Sequence, residues 1–153
     1  MDLSAATVKD VSSVAALLPP ASRLAAMMRA AAAPERPTIH PASFRTLARV
    51  LVADVPERVP AMDDVVFRTC ETAFLEHREL RLGYSDAENR VTVRMVEPHG
   101  LLLRRTGWLL VTWDRDRDAA RTLRLDRVFR AWLTELRFEP LDPRRLTERI
   151  VET

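Results

Sequence analysis

Apolar positions fall into two regimes along the chain. From residue 1 to about 77 they recur at helical spacing, and from Glu79 onward they recur every second residue. Ala5 to Leu18 reads as a first helix, stopped by Pro19-Pro20. Ser22 to Ala33 reads as a second, closed by Pro34. The dense prolines from Pro34 to Pro41 predict a linker. Ser43 to Ala53 reads as a short third helix with Phe44, Leu47, Val50 and Leu51 on one face. Met62 to His77 is the strongest helix. Val66, Cys70, Ala73 and Phe74 make its apolar stripe, and Asp63-Asp64 sit where the helix dipole favours acids.

In the second regime, Glu79–Tyr84 and Arg90–Val96 alternate as strands about a polar turn at residues 85–89. Pro98 to Gly100 is expected to break or bend the strand before it resumes over Leu101–Arg105. Thr106-Gly107 forms a tight turn, and Trp108–Trp113 is apolar enough to lie centrally. A charged hairpin loop, 114–118, precedes strands over Arg121–Val128 and Phe129–Phe138. Pro143–Val151 reads as a closing helix. The predicted class is α+β: N-terminal helices followed by several short strands joined by tight turns, as in a small antiparallel barrel.

Composition adds limits. With 153 residues and 47% hydrophobic residues, one compact domain with a helical appendage is expected, not a disordered chain. No apolar run reaches the roughly 20 residues of a bilayer span, and no secretory signal is visible, so a cytosolic protein without membrane association is expected. The lone cysteine, Cys70, excludes an internal disulfide. The net charge of +2 is uninformative, but its distribution is not. Residues 90–130 hold ten arginines against five acids, and Lys9 is the only lysine in the chain. Guanidinium groups suit bidentate recognition of phosphate.

Catalytic groupings are not found. There is no Gly-rich phosphate loop, no nucleophile elbow and no His-Glu-x-x-His, and His40, His77 and His99 lack ligand spacing. Cys70 reads as a buried structural thiol. Asp114, Asp116 and Asp118 read as a solvated hairpin tip, since Arg115 and Arg117 interrupt them and no downstream Glu completes a calcium loop. No catalytic residue, metal site or cofactor is therefore expected, and the chain does not read as an enzyme.

The informative stretch runs from Glu97-Pro98-His99-Gly100-Leu101-Leu102-Leu103-Arg104-Arg105-Thr106-Gly107-Trp108-Leu109-Leu110 to Arg121-Thr122-Leu123-Arg124-Leu125-Asp126-Arg127-Val128. Together with Leu80-Arg81-Leu82-Gly83-Tyr84, Val93-Arg94 and Arg137-Phe138-Glu139-Pro140, it resembles the WYL domain of bacterial transcription regulators over roughly residues 62–140. Leu109 stands where that family's Trp-Tyr-Leu triplet has tyrosine. Residues 1–60 show no recognition helix or wing and resemble the helical connector of such regulators, so a truncated product without direct promoter binding is expected.

The resemblance implies a five-stranded Sm-like (SH3-like) barrel at 61–140, after a helical connector at 1–60 and before a helical tail at 141–153. It implies a sensing module that takes single-stranded nucleic acid or a nucleotide on a basic face. Arg121, Arg124 and Arg127 are the main candidates, with Arg94, Arg104 and Arg105 next. Arg124 and Arg127 share a face only if a bulge or turn falls near Asp126. The alternative is a solvated exterior on which Asp126 pairs locally. Trp108 either stacks on a base or fills the core. A competing reading is a dimerisation or regulator-partner module, most simply a homodimer, without a small ligand.

Overall fold

A computed structural model describes residues 8–33 and 41–151. Helices α1 (Val8–Ala15), α2 (Arg23–Ala31) and α3 (Pro41–Leu47) precede strand β1 (Val50–Val52). Helix α4 (Asp64–Glu76) then leads into β2 (Arg78–Ser85), β3 (Val91–Arg104), β4 (Gly107–Asp114) and β5 (Ala119–Arg124). A 3-10 turn at Leu125–Arg127 joins β5 to β6 (Val128–Arg137), and α5 (Pro143–Val151) follows. The expected linker lies outside the described residues except for Pro41, which opens α3, and His40 lies outside them too.

The helix starts are set by side chains that accept orphan backbone protons. Ser22 caps α2 by accepting from the Ala25 N–H at 3.0 Å, and Asp63 caps α4 by accepting from the Val66 N–H at 3.0 Å. The switch from helix to strand takes one residue. His77 adopts the left-handed conformation (φ 55°), returns its N–H to the Ala73 carbonyl and releases the chain into β2.

One expectation fails within this first half. Ser43–Ala53 is not one helix: α3 stops at Leu47, and Val50–Val52 pair in parallel with Leu101–Leu103 as a strand. The three apolar residues there gain more as a ladder on β3 than as a helix too short to hold itself. The bend expected at Pro98–Gly100 is present as a bulge within one strand of 14 residues. A bulge accommodates a proline, which has no N–H to give to a ladder.

The five-stranded barrel is also corrected. Six strands form an open sheet in the order β5-β4-β3-β2-β6, with β1 added to β3, and no ladder joins β5 to β6 among the described residues. The strand expected over Arg121–Val128 ends at Arg124, because the next three residues take 3-10 geometry where a closing ladder would be needed.

The sheet is buried on both faces around β4. Trp108 and Leu110 join a large core with Leu101, Leu103, Leu80, Leu82 and the apolar faces of α1, α2 and α4. Leu109 and Val111, pointing the other way, meet Leu51, Leu102 and Leu146, so α5 closes a second cluster. Alternation along β3 and β4 thus feeds two cores, which is why Trp108–Val111 is apolar without a gap.

Polar ties lock the helices onto this core. Glu71 of α4 is buried, and its carboxylate accepts from the Ser22 hydroxyl at 2.5 Å and from the N–H groups of Arg23 and Leu24 at 3.0 and 3.1 Å. It therefore places a negative charge on the N-terminus of α2, where the dipole favours it. The Trp108 indole donates to the Leu17 carbonyl at 2.9 Å. Arg49 is buried and donates to the carbonyls of His99 and Leu141; burial lowers its pKa despite the nearby Asp142 carboxylate.

Candidate functional site: an arginine cavity between two hairpins

The β2–β3 hairpin and strand β5 enclose a cavity of about 500 Å³. Four arginines reach it from separate places: Arg90 from the β2–β3 turn, Arg94 from β3, Arg117 from the β4–β5 turn and Arg121 from β5. Tyr84, Thr92, Thr122 and Leu123 complete the wall, and among the described residues Asp86 is the only acid lining it.

Each guanidinium is positioned differently. Asp86 accepts from the backbone N–H groups of Glu88 and Arg90 at 2.9 Å each, and from Arg90 Nε at 2.9 Å. These bonds, led by the Arg90 backbone N–H, hold the Asp86 carboxyl below its ordinary pKa. Arg90 also pairs with Glu88. Arg94 lies over the Tyr84 ring at 5.7 Å and pairs with Asp114 at 3.2 Å. Among the described residues, Arg117 and Arg121 have no ion-pair partner, so their charge is the least neutralised in the cavity.

Asp114 was expected at a solvated hairpin tip but is fully buried. Its Oδ1 accepts from the backbone N–H groups of Asp116 and Arg117 at 3.0 and 3.2 Å, while Oδ2 takes Arg94. One carboxylate thus sets both the hairpin turn that carries Arg117 and the angle of Arg94.

The seven residues singled out from the sequence are not gathered in one place. Arg94 and Arg121 line the cavity. Arg124 is three residues from Arg121 on the same strand and therefore shares its face with Leu109, while Leu123 shares the other with Leu110. The Arg124 guanidinium grips Asp126 through two bonds of 3.0 and 2.8 Å, which raise its pKa, and its N–H donates to the Tyr84 hydroxyl at 3.1 Å. The turn required near Asp126 is present as the 3-10 segment, but Arg127 is not part of the cavity wall. Arg104 and Arg105 sit at the β3–β4 turn, about 30 Å along the strand from Arg94. Trp108 is 2% exposed and fills the core, which leaves no face for a base. Arg90 and Arg117 were not singled out. Arg117 lies in a turn, where strand alternation gives no direction, and Arg90, expected to open a strand, lies in the turn just before β3.

Residues 65–132, which span α4 through the middle of β6, match the family model of the WYL domain. Over that segment the chain is similar to a WYL domain. A stretch of 37 residues, 24% of the chain, is 54% identical to the protein named PafB of Mycobacterium tuberculosis and of Mycobacterium bovis, and covers 11% of those proteins. The solved structure of proteasome accessory factor B/C (PafBC) of Arthrobacter aurescens aligns over 97% of this chain and 21% of that one, with a TM-score of 0.50 and 26% identity. The chain therefore spans about a tenth of the length of these curated relatives and about a fifth of the solved neighbour. Both hairpins of the arginine cavity fall within the WYL-matched segment.

Proposed function

We propose that this WYL-like domain is a regulatory sensing module that takes phosphate groups of single-stranded nucleic acid or of a nucleotide in the cavity of Arg90, Arg94, Arg117 and Arg121. One observation carries the reading. Four guanidiniums from two turns and two strands converge on a single concave site, and two of them lack a carboxylate partner among the described residues. Concentrated positive charge with few internal partners attracts phosphate and releases counterions on binding. A volume of about 500 Å³ lies within the ordinary range for small-ligand sites.

The module acts as a binder, not as a catalyst: the wall offers donors and charge, and its single carboxylate is committed to Arg90. In a longer regulator, occupancy would be passed on through the hairpin that Asp114 anchors. No helix among the described residues is long and apolar enough to cross a membrane.

Fluorescence anisotropy with short labelled oligonucleotides and with cyclic dinucleotides, at low ionic strength, tests the reading. Salt-sensitive binding that is weakened by Arg94→Ala with Arg121→Ala supports it. No binding of either ligand class rejects it.

A further inference from the structure

The face of β2, β3 and β6 turned away from the core carries aromatic and cationic side chains together. Arg81 and Gly83 of β2 pair with Met95 and Val93 of β3 on one side and with Trp132 and Arg130 of β6 on the other. Cross-strand partners share a face, so these residues form one surface, to which Val91 also belongs opposite Ser85. Phe129 is 51% exposed and Trp132 is 37% exposed. The tip of the Phe129 ring lies over Gly83, where a Cβ would come within 2.6 Å of it, so the missing side chain is what lets the ring settle on the sheet. The guanidiniums of Arg81 and Arg130 each lie 5.2 Å from the centre of the Trp132 ring.

We propose that this outer face is a second contact surface, on which unpaired bases of a single-stranded nucleic acid stack on Phe129 and Trp132 while Arg81 and Arg130 meet its phosphates. None of the positions named is acidic, and neither arginine has an ion-pair partner among the described residues. A second copy docking here about a two-fold axis would set like charges against each other, so charge complementarity calls for an anionic partner. Exposed rings with guanidiniums already stacked on one of them suit bases, because every base presents a π-face and pre-ordered arginines lose little freedom on binding. The choice of nucleic acid over an acidic polypeptide rests on the phosphate reading of the cavity; the surface itself is independent of it.

The test compares the 153-residue chain, a face variant (Phe129→Ala with Trp132→Ala) and the cavity variant (Arg94→Ala with Arg121→Ala). Each is titrated with a short oligothymidylate, with an abasic oligomer of equal length and with polyglutamate. The face variant is expected to lose at least about tenfold in oligothymidylate affinity, the equivalent of one stacked base, with no change for the abasic oligomer. The cavity variant is expected to lose affinity for both. Phe129→Tyr with Trp132→Phe keeps the rings and is expected to restore binding, which separates stacking from misfolding. An unchanged oligothymidylate affinity in the face variant overturns the proposal, as does polyglutamate binding that the face variant alone abolishes. A cavity variant that binds normally beside a face variant that does not rejects the cavity reading and leaves this one standing.

Discussion

The Asp114 carboxylate lies 3.2 Å from the Arg94 guanidinium, fully buried, while its other oxygen holds the turn that carries Arg117. Replacing Asp114 with alanine strands a guanidinium that is itself largely covered and two backbone N–H groups. The expected loss of stability is about 3 kcal/mol, because a buried pair broken on one side leaves its partner uncompensated. Asp114→Asn keeps an acceptor for the turn and is expected to cost less. Urea unfolding of both variants, with the slope of the transition unchanged, checks the order.

Arg117 and Arg121, which have no ion-pair partner among the described residues, should contribute to binding through counterion release. Each substitution by alanine is expected to lower the magnitude of the slope of log affinity against log salt by about 0.7 for a single-stranded ligand. Anisotropy titrations across a series of salt concentrations read this directly. Arg124→Ala is expected to leave the slope nearly unchanged, since its charge is already matched by Asp126.

Glu71 carries three hydrogen bonds that join α4 to the start of α2. Glu71→Ala leaves the Ser22 hydroxyl and two N–H groups without that acceptor and is expected to destabilise the fold by about 2–4 kcal/mol. Glu71→Gln retains one acceptor oxygen and should fall between wild type and alanine. Thermal unfolding followed by circular dichroism gives the comparison.

Cys70 is buried in the core, and burial pushes its thiol up to about 12 from an ordinary 9.0. The thiol is therefore expected to stay unmodified by a disulfide reagent in the folded protein and to react at once in denaturant. A raised acid pKa favours the folded state only while the thiol is protonated. The associated stability is present below 9.0 and is lost as pH rises towards about 12. Chemical unfolding at successive alkaline pH values tests the sign.

Gly107 opens β4 at φ 121°, and a Cβ there would lie 2.8 Å from Pro60 Cδ. Gly107→Ala is expected to cost about 1–3 kcal/mol through backbone strain alone, before any clash with Pro60. Because this turn lies at the far end of β3 from Arg94, oligonucleotide affinity of the folded fraction should not change. Parallel melting and anisotropy measurements separate the two effects.

The helices and most strands were legible because their periods and stop signals are strong. Pro19-Pro20 and Pro34 bound the second helix, Asp63-Asp64 mark the start of the fourth, and the change of period after His77 marks the entry to the sheet. β1 was not legible: Val50 and Leu51 also fit a helix face with Phe44 and Leu47, and a strand of three residues has too few positions to show a period. Closure failed for a related reason. Arg121–Val128 alternates well enough for a strand, yet Leu125–Arg127 curl into a 3-10 turn. In the cavity, Arg94 and Arg121 were found because they sit on strands with a readable direction. Arg90 and Arg117 project from turns, and Asp114 looked solvated because its neighbours in sequence are charged. Its burial comes from contacts across the sheet, which no local pattern records.

The parallel pairing of Val50–Val52 has a consequence for how much chain the sheet needs. Leu101–Leu103 are bordered by β4 on one side and β1 on the other, so both rows of their backbone polar groups are engaged. A polypeptide trimmed to residues 65–132 would keep every position by which the family is recognised and still bare one of those rows. An open row of amides invites another strand. Such a fragment would be prone to recruit a neighbour in place of its own missing piece, so the smallest well-behaved unit reaches back at least to Val50.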